Sequence, residues 1–322
     1  MIFTQSHVMN TETRLQKLLA NAYALASKNI WWQKVMSERP GDGKRQDIEF
    51  LLTTADIYRL NSKGDGIQYD DMITQAHSVT HEDFGAGLTI TKNQFDDESF
   101  GFAGDWMLQM GARMAMDPQY EAIRMMVNGE VLKGYDGQPF YSKLHKVHPL
   151  DASKGTYDTL ITDMNVIDSG LPSVTLPTLT VANLASADAY IRSLTMPNGK
   201  NRNLAPAILR HGPLLKKAAL EITSASFIGA TDNVMTKYAI EPLVVNELTG
   251  YDWYLDCTVG ETPDLLPFVR FNRRAYEMTS YNGMTTAELG RRNELEWQVR
   301  GRYGYMYGHP YQSYKFKGGL KP

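Results

Sequence analysis

The side chains whose types and spacing invite chemistry are two pairs of histidines, one cysteine and one aspartate. His77 and His81 stand four apart. On a helix that spacing puts two imidazoles on one face, within reach of one zinc ion. The residues around them are strand-like, however, and four residues of strand carry the second ring roughly 13 Å along the chain. His145 and His148, in His145-Lys-Val-His-Pro149, stand three apart, which on a strand points them to opposite faces. Neither pair has a cysteine or carboxylate at matching ligand spacing, so no metal is expected and ordinary hydrogen-bonded or exposed histidines are. Cys257 falls in mid-strand on an apolar face, where a thiol serves as a small hydrophobe. Asp136 is the one acid in Tyr135-Asp-Gly-Gln-Pro-Phe-Tyr141. Asp-Gly supports positive φ, so Asp136 reads as turn chemistry, with Pro139, Phe140 and Tyr141 opening a half-buried strand. Phosphate loops, dinucleotide fingerprints, nucleophile elbows and His-Glu-x-x-His helices are all missing from the sequence. Neither a catalytic residue nor a cofactor is expected.

The elements that hold these residues belong to a chain of 322 residues, which exceeds the commonest domain size. Two subdomains, or one domain with extensions, are expected. An apolar share of 43% is enough for a core. One cysteine excludes an intrachain disulfide framework and fits a reducing compartment. Met1-Ile-Phe-Thr-Gln-Ser is not a secretory signal, and no run approaches ~18 apolar residues, so no membrane span is expected. A net charge of −3 argues against a dedicated nucleic-acid binder. The charge is unevenly spread. Residues 1–45 hold 7 basic and 3 acidic side chains (net +4), 46–100 hold 3 and 11 (net −8), and 291–322 hold 7 and 2 (net +5). An acidic block between basic ends can contact copies of itself, although exposed charge alone contributes little.

Leu15, Leu18, Leu19, Ala22, Leu25 and Ala26 recur at helical spacing and predict a helix over 11–38. Trp31 and Trp32 follow, needing a surface to bury against, and Pro40-Gly41-Asp42-Gly43 stops regular structure. Residues 46–95 read as two strand-like runs. One carries Ile48, Phe50 and Leu52, and the other spans 75–95 with a flexible or bulged point at Phe84-Gly-Ala-Gly-Leu88. A polar cluster, Asn61 to Gly66, lies between them. Such a hairpin is marginal in water and must lie on something else. Residues 96–130 read as a helix with a core stripe of Phe102, Trp106, Met110 and Met114, broken or restarted at Asp117-Pro118. After an irregular crossing at 150–182, helices are expected at 186–194 and 214–223. Strands are expected at 206–210, 238–245, 252–259 and 267–276, with a long final one carrying Trp297, Val299, Tyr303, Tyr305 and Tyr307 on one face.

Taken in order, these features resemble the Mu-type major head subunit family, from about residue 10 to 318. The resemblance rests on Tyr135-Asp-Gly-Gln-Pro-Phe-Tyr-Ser-Lys-Leu-His145, Leu209-Arg-His-Gly-Pro-Leu-Leu-Lys-Lys-Ala-Ala219, Ile240-Glu-Pro-Leu-Val-Val245, Tyr251-Asp-Trp-Tyr-Leu-Asp256 and Arg302-Tyr-Gly-Tyr.

The resemblance implies an α+β chain with the tailed-phage and herpesvirus major capsid fold. Its parts would be an N-terminal arm (1–45), an extended E-loop hairpin (46–95), a P-domain with its spine helix (96–175), an A-domain (176–265) and C-terminal strands returning to the body (266–322). It implies hexamers and pentamers forming an icosahedral phage head around double-stranded DNA, and no enzyme. The implied partners are a separate scaffolding protein, because the chain starts close to the arm, a portal protein, a decoration protein and DNA held non-specifically. The implied location is the virion, and the host cytoplasm during assembly. Lys63 sits at a loop tip of the kind used for cross-linking but lacks an acid partner nearby. Subunit contacts are expected at Trp31, Trp32, Asp65, Asp70, Asp71, Glu82, Asp83, Arg300 and Arg302. Two other readings remain at this point: an encapsulin-like nanocompartment shell and a soluble α/β metalloenzyme.

Overall fold

The computed structural model describes residues 5–53, 72–91, 93–94, 100–170, 175–225, 227–228, 231–259, 265–282 and 294–319. Four α-helices are described: α1 (Gln5–Ala26), α2 (Phe100–Asn128), α3 (Val181–Ser193) and α4 (Lys216–Ser224). The strands up to the middle of the chain are β1 (Met36–Pro40), β2 (Arg45–Leu51), β3 (Thr74–Thr80), β4 (Glu82–Thr91), β5 (His145–Lys146), β6 (Thr156–Tyr157) and β7 (Leu160–Ile161). Those that follow are β8 (Ala205–His211), β9 (Phe227–Ile228), β10 (Thr231–Asp232), β11 (Glu241–Val244), β12 (Trp253–Val259), β13 (Phe268–Asn282), β14 (Glu294–Tyr307) and β15 (Ser313–Phe316). Two sheets organise them, one ordered β1-β13-β14-β4 and the other β11-β8-β12-β15-β7.

The first sheet lies under the two long helices. Leu295, Trp297 and Val299 of β14 pack with Leu15 and Leu19 of α1 and with Ala103, Met107 and Met110 of α2. The helices meet closely at Gly111, where a Cβ would come within 2.4 Å of the Leu19 carbonyl oxygen and 3.0 Å of the Ala22 Cβ. The second sheet is buried on both faces. Trp253, Leu255 and Cys257 join one core cluster while Tyr254, between them, joins another. Residues 253–257 thus bury side chains on both faces of the strand.

Several expected elements take another form. The first helix ends at Ala26 and gives way to short 3-10 turns, and Met36–Pro40 is a strand lying parallel to Phe268–Asn272. Pairing with β13 and burial of Val35 and Met36 outweigh continued helix. Pro118 sits inside an unbroken α2, because both halves are held by the body: Met107 and Met110 before it, Ala122 and Met126 after it. Only the second half of the Phe102-to-Met114 stripe faces the core. Phe102 and Trp106 are exposed, whereas Met110 of the same stripe is buried, as are Ala103 and Met107 beside it. Each i+4 step turns the side chain roughly 40° around the helix, so two steps carry the stripe from exposed Phe102 to buried Met110. The second run of 46–95 divides at His81. Only β3 pairs with β2, and β4 crosses to β14, where Phe84–Leu88 pairs one-to-one with Trp297–Gly301 and forms no bulge. Phe140 and Tyr141 are buried but belong to no regular strand.

Gly111→Ala adds a better helix former, worth about 1 kcal/mol by propensity. The contact with the Leu19 carbonyl makes us expect the opposite sign, a net loss of about 1–3 kcal/mol in urea unfolding.

Candidate functional site

The Asp136 turn is built as its sequence dictates. Gly137 has φ of +77°. The Gly134 N–H donates to the Gln138 carbonyl at 2.8 Å. One Asp136 oxygen accepts from the Gln138 N–H at 3.1 Å, and the other meets His145 Nδ1 at 2.5 Å. His145 is fully buried, and its Nε2 lies 3.2 Å from the Phe140 carbonyl and 3.1 Å from Thr159 Oγ1. Its ring stacks on Tyr157 at 5.3 Å. Every polar atom of the imidazole is therefore engaged within the chain, so the pair ties the turn to the segment behind it and leaves no face for a substrate. His148 is spent on the backbone, its Nδ1 accepting from Leu150 and Asp151 N–H groups. Among the described residues no cluster of three or more His, Cys, Asp or Glu is placed to hold a metal ion. Burial pushes the Cys257 thiol well above its ordinary value, so it is not a poised thiolate.

A second polar group lies deeper. Arg210 of β8 and Asp256 of β12 are fully buried and paired, with Nη2 2.5 Å from Oδ1 and Nε against Oδ2. Ser313 of β15 donates to Asp256 at 2.6 Å, and Tyr141 OH lies 3.0 Å from Ser313 Oγ. Burial pushes the Asp256 carboxyl up, and the guanidinium opposes that shift. Four segments distant in sequence meet at this one group. Sequence reading missed it because Arg210 and Asp256 stand 46 positions apart inside apolar strands.

His309 was also missed, although Gly308-His-Pro310 after an aromatic strand marks it. Its ring stacks on Tyr311 at 4.8 Å and meets Phe50 and Tyr135 edge-on. Phe50 in turn stacks on Tyr135 at 4.3 Å, which anchors the β2–β3 hairpin on the Asp136 turn. Burial lowers the His309 pKa to about 3, with Arg202 adding in the same sense.

The expected contact residues fall into three groups. Trp31 and Trp32 are buried against the chain's own Ala122, Ile123, Met126 and Phe140, so they are core residues and not free contacts. Glu82, Asp83, Arg300 and Arg302 come together on adjacent strands, with Asp83 opposite Arg302 and an ion pair of 3.7 Å between them. Asp65, Asp70, Asp71 and Lys63 lie outside the described residues.

This arrangement, two sheets with a long helix pair across one of them, is the HK97-like fold of tailed-phage capsid proteins. The chain superposes on a chain of the bacteriophage JBD30 procapsid with a TM-score of 0.58 at 15% identity, covering 99% of this chain and 77% of that one. With the JBD30 capsid decorated by minor capsid protein trimers the TM-score is 0.55 at 15% identity, over 70% and 93% of the two chains. A chain of the cyanophage P-SCSP1u capsid gives 0.54 at 9% identity, over 88% and 86%. Residues 10–167 match the family of the Mu-like prophage major head subunit gpT. The major capsid protein of Escherichia phage Mu is 26% identical over 106 residues, 31% of this chain and 33% of that protein. The aligned stretch thus spans about a third of the curated relative. The family resemblance read in the sequence holds over 10–167, which includes both long helices, the hairpin and the Asp136–His145 turn; the C-terminal half is carried by the fold.

Two outcomes are expected. Arg210→Met alone should cost about 3–5 kcal/mol in urea unfolding, and Arg210→Met with Asp256→Leu should cost less than the single change, because no buried charge is then left alone. The second concerns acid. The unfolded imidazole takes a proton near pH 6.5, and native His309 refuses it until about pH 3, so the unfolded state binds more protons between these values. Stability should fall as pH drops through that window by up to ~1.4 kcal/mol per unit, and His309→Gln should flatten the slope measured by urea titrations at several pH values.

Proposed function

We propose that the chain is the major capsid protein of a tailed phage, self-assembling as hexamers and pentamers into an icosahedral head that encloses double-stranded DNA. The observation that carries this reading is the match of residues 10–167 to the Mu-like major head subunit family, on a fold shared with phage capsids. The role is structural. The one carboxylate–histidine pair is consumed in holding its turn, which supports a scaffold role for it over a catalytic one.

The parts follow the capsid plan: arm 1–45, E-loop 46–95, P-domain 96–175, A-domain 176–265 and returning strands 266–322. Some strands are exchanged between these parts, since β1 lies in the first sheet and β15 in the second. A separate scaffolding protein, a portal protein, a decoration protein and non-specifically held DNA complete the partners. The chain then acts in the virion, after assembly in the host cytoplasm. Contacts between copies use Asp65, Asp70, Asp71, Glu82, Asp83, Arg300 and Arg302.

Light scattering and negative-stain microscopy of the purified chain, alone and with co-expressed scaffold, test this. Closed shells or capsomer rings are expected, and a persistent monomer or dimer in both conditions would count against it. Glu82→Lys with Asp83→Lys should reduce assembly far more than it lowers the melting temperature of the unassembled chain. Equal loss of both would remove these two residues from the interface.

A further inference from the structure

Folded chains leave few voids larger than a water molecule in their interiors. A cleft of about 810 Å³ nevertheless opens where three segments meet: the base of the β2–β3 hairpin, the Asp136 turn and the chain around His309. Its walls are rich in rings. Phe50 comes from the hairpin, Tyr135 from the turn, Tyr157 from β6, and His309 and Tyr311 from the chain after β14. All five are buried. A volume of this size, lined by aromatic side chains with a few polar groups among them, has the makeup of a small-molecule site.

Charge narrows what could enter. The one buried charge in the lining is Arg202. Its guanidinium lies 4.2 Å from the centre of the Tyr311 ring, and its Nε donates to the Thr195 carbonyl at 3.0 Å. These two contacts fix the plane of a group that carries five N–H donors. The neighbours do not offset its charge. Burial lowers the His309 pKa to about 3 and pushes the Tyr135 hydroxyl up, so both stay neutral at ordinary pH. Lys146 and Arg39 add two cations to the lining, and neither is held in an ion pair among the described residues. Two carboxylates line the cleft as well. Asp136 is taken up by His145 and the Gln138 N–H, and Glu49 is exposed, where solvent screens it. The lining is therefore net positive by one charge, and the charge kept from water is a cation.

We propose that this cleft binds a small planar aromatic carboxylate, with its ring among Phe50, Tyr135 and Tyr311 and its carboxylate on Arg202. An arginine fork takes a carboxylate in bidentate fashion, and a poorly hydrated setting strengthens the pair. Rings pack offset or edge-on against rings. A nucleoside monophosphate also offers a ring, but its dianion exceeds the single net charge of the lining. The occupant touches hairpin and body at once, so it fastens the base of the hairpin to the Asp136 turn. The proposal does not depend on the capsid reading.

Calorimetric titration of the purified, unassembled full-length chain with 2-naphthoate tests it. One molecule per chain is expected, with a Kd of about 0.1 mM or tighter. The melting temperature should rise with its concentration. The methyl ester, which lacks the charge, and acetate, which lacks the ring, should each bind at least about tenfold more weakly. Arg202→Met should weaken 2-naphthoate by a similar factor. So should Leu144→Trp, which fills the cleft from an exposed position in its lining and disturbs no buried residue. The melting temperature of each free variant establishes that it folds, and if Arg202→Met does not, the ester and Leu144→Trp carry the test. No binding of 2-naphthoate at millimolar concentration would overturn the proposal. So would an ester that binds as tightly as the acid, or undiminished binding to the folded variants. Binding of adenosine monophosphate in place of 2-naphthoate would overturn the choice of carboxylate.

Discussion

The ion pair between Arg210 and Asp256 is the constraint around which the C-terminal half is arranged. Two charges with no solvent contact are tolerated only when their hydrogen-bonding capacity is largely met nearby. Meeting it requires Ser313, and Ser313 in turn holds Tyr141. The position of β15 between β12 and β7 follows from this. So does the close approach of the Asp136 turn, because Tyr141 extends from it. Trp253 stacked on Phe316 at 3.9 Å then closes the apolar side of the same strand pair. Electrostatic satisfaction fixes which segments meet, and aromatic packing supplies most of the buried area.

The other half is organised by length. β13 and β14 are the longest strands described, with 15 and 14 residues, and their two ends serve different purposes. Phe268 and Tyr307 at one end pack with Phe140 and the tryptophans of the first segment. Leu295, Trp297 and Val299 at the other end sit beneath α1 and α2. One ribbon thus joins two cores. The bulges in β13 fall between these ends, where the ribbon changes from one environment to the other.

Much of this was legible in the sequence wherever a local pattern carried it. The helix over Leu15 to Ala26, the strands at 205–211 and 253–259 and the long aromatic strand near the end were each signalled by period and composition. The Asp136 turn was legible for the same reason, since Asp-Gly encodes its own geometry. What escaped were outcomes set by distant partners. Trp31 and Trp32 look like exposed anchors until α2 is placed beside them. Met36–Pro40 becomes a strand only because Phe268–Asn272 is there to receive it. Pro118 breaks no helix because packing on either side of it holds the helix together. Arg300 and Arg302 were visible on one strand, but the pairing of Arg302 with Arg274 depends on a register shift that no local pattern announces.

The pairing of β1 with β13 links residues 232 positions apart, and β15 completes a sheet begun more than a hundred residues earlier, with Ser313 bonded to Arg210 across 103 positions. A ribosome releases residues 313–316 more than a hundred residues after β8. Until then Asp256 lacks the Ser313 hydroxyl, and the second sheet cannot close. Long-range closure of this kind is intrinsically slow. A nascent chain still on the ribosome has no finished surface to offer its neighbours, which keeps half-made copies out of whatever the finished ones build.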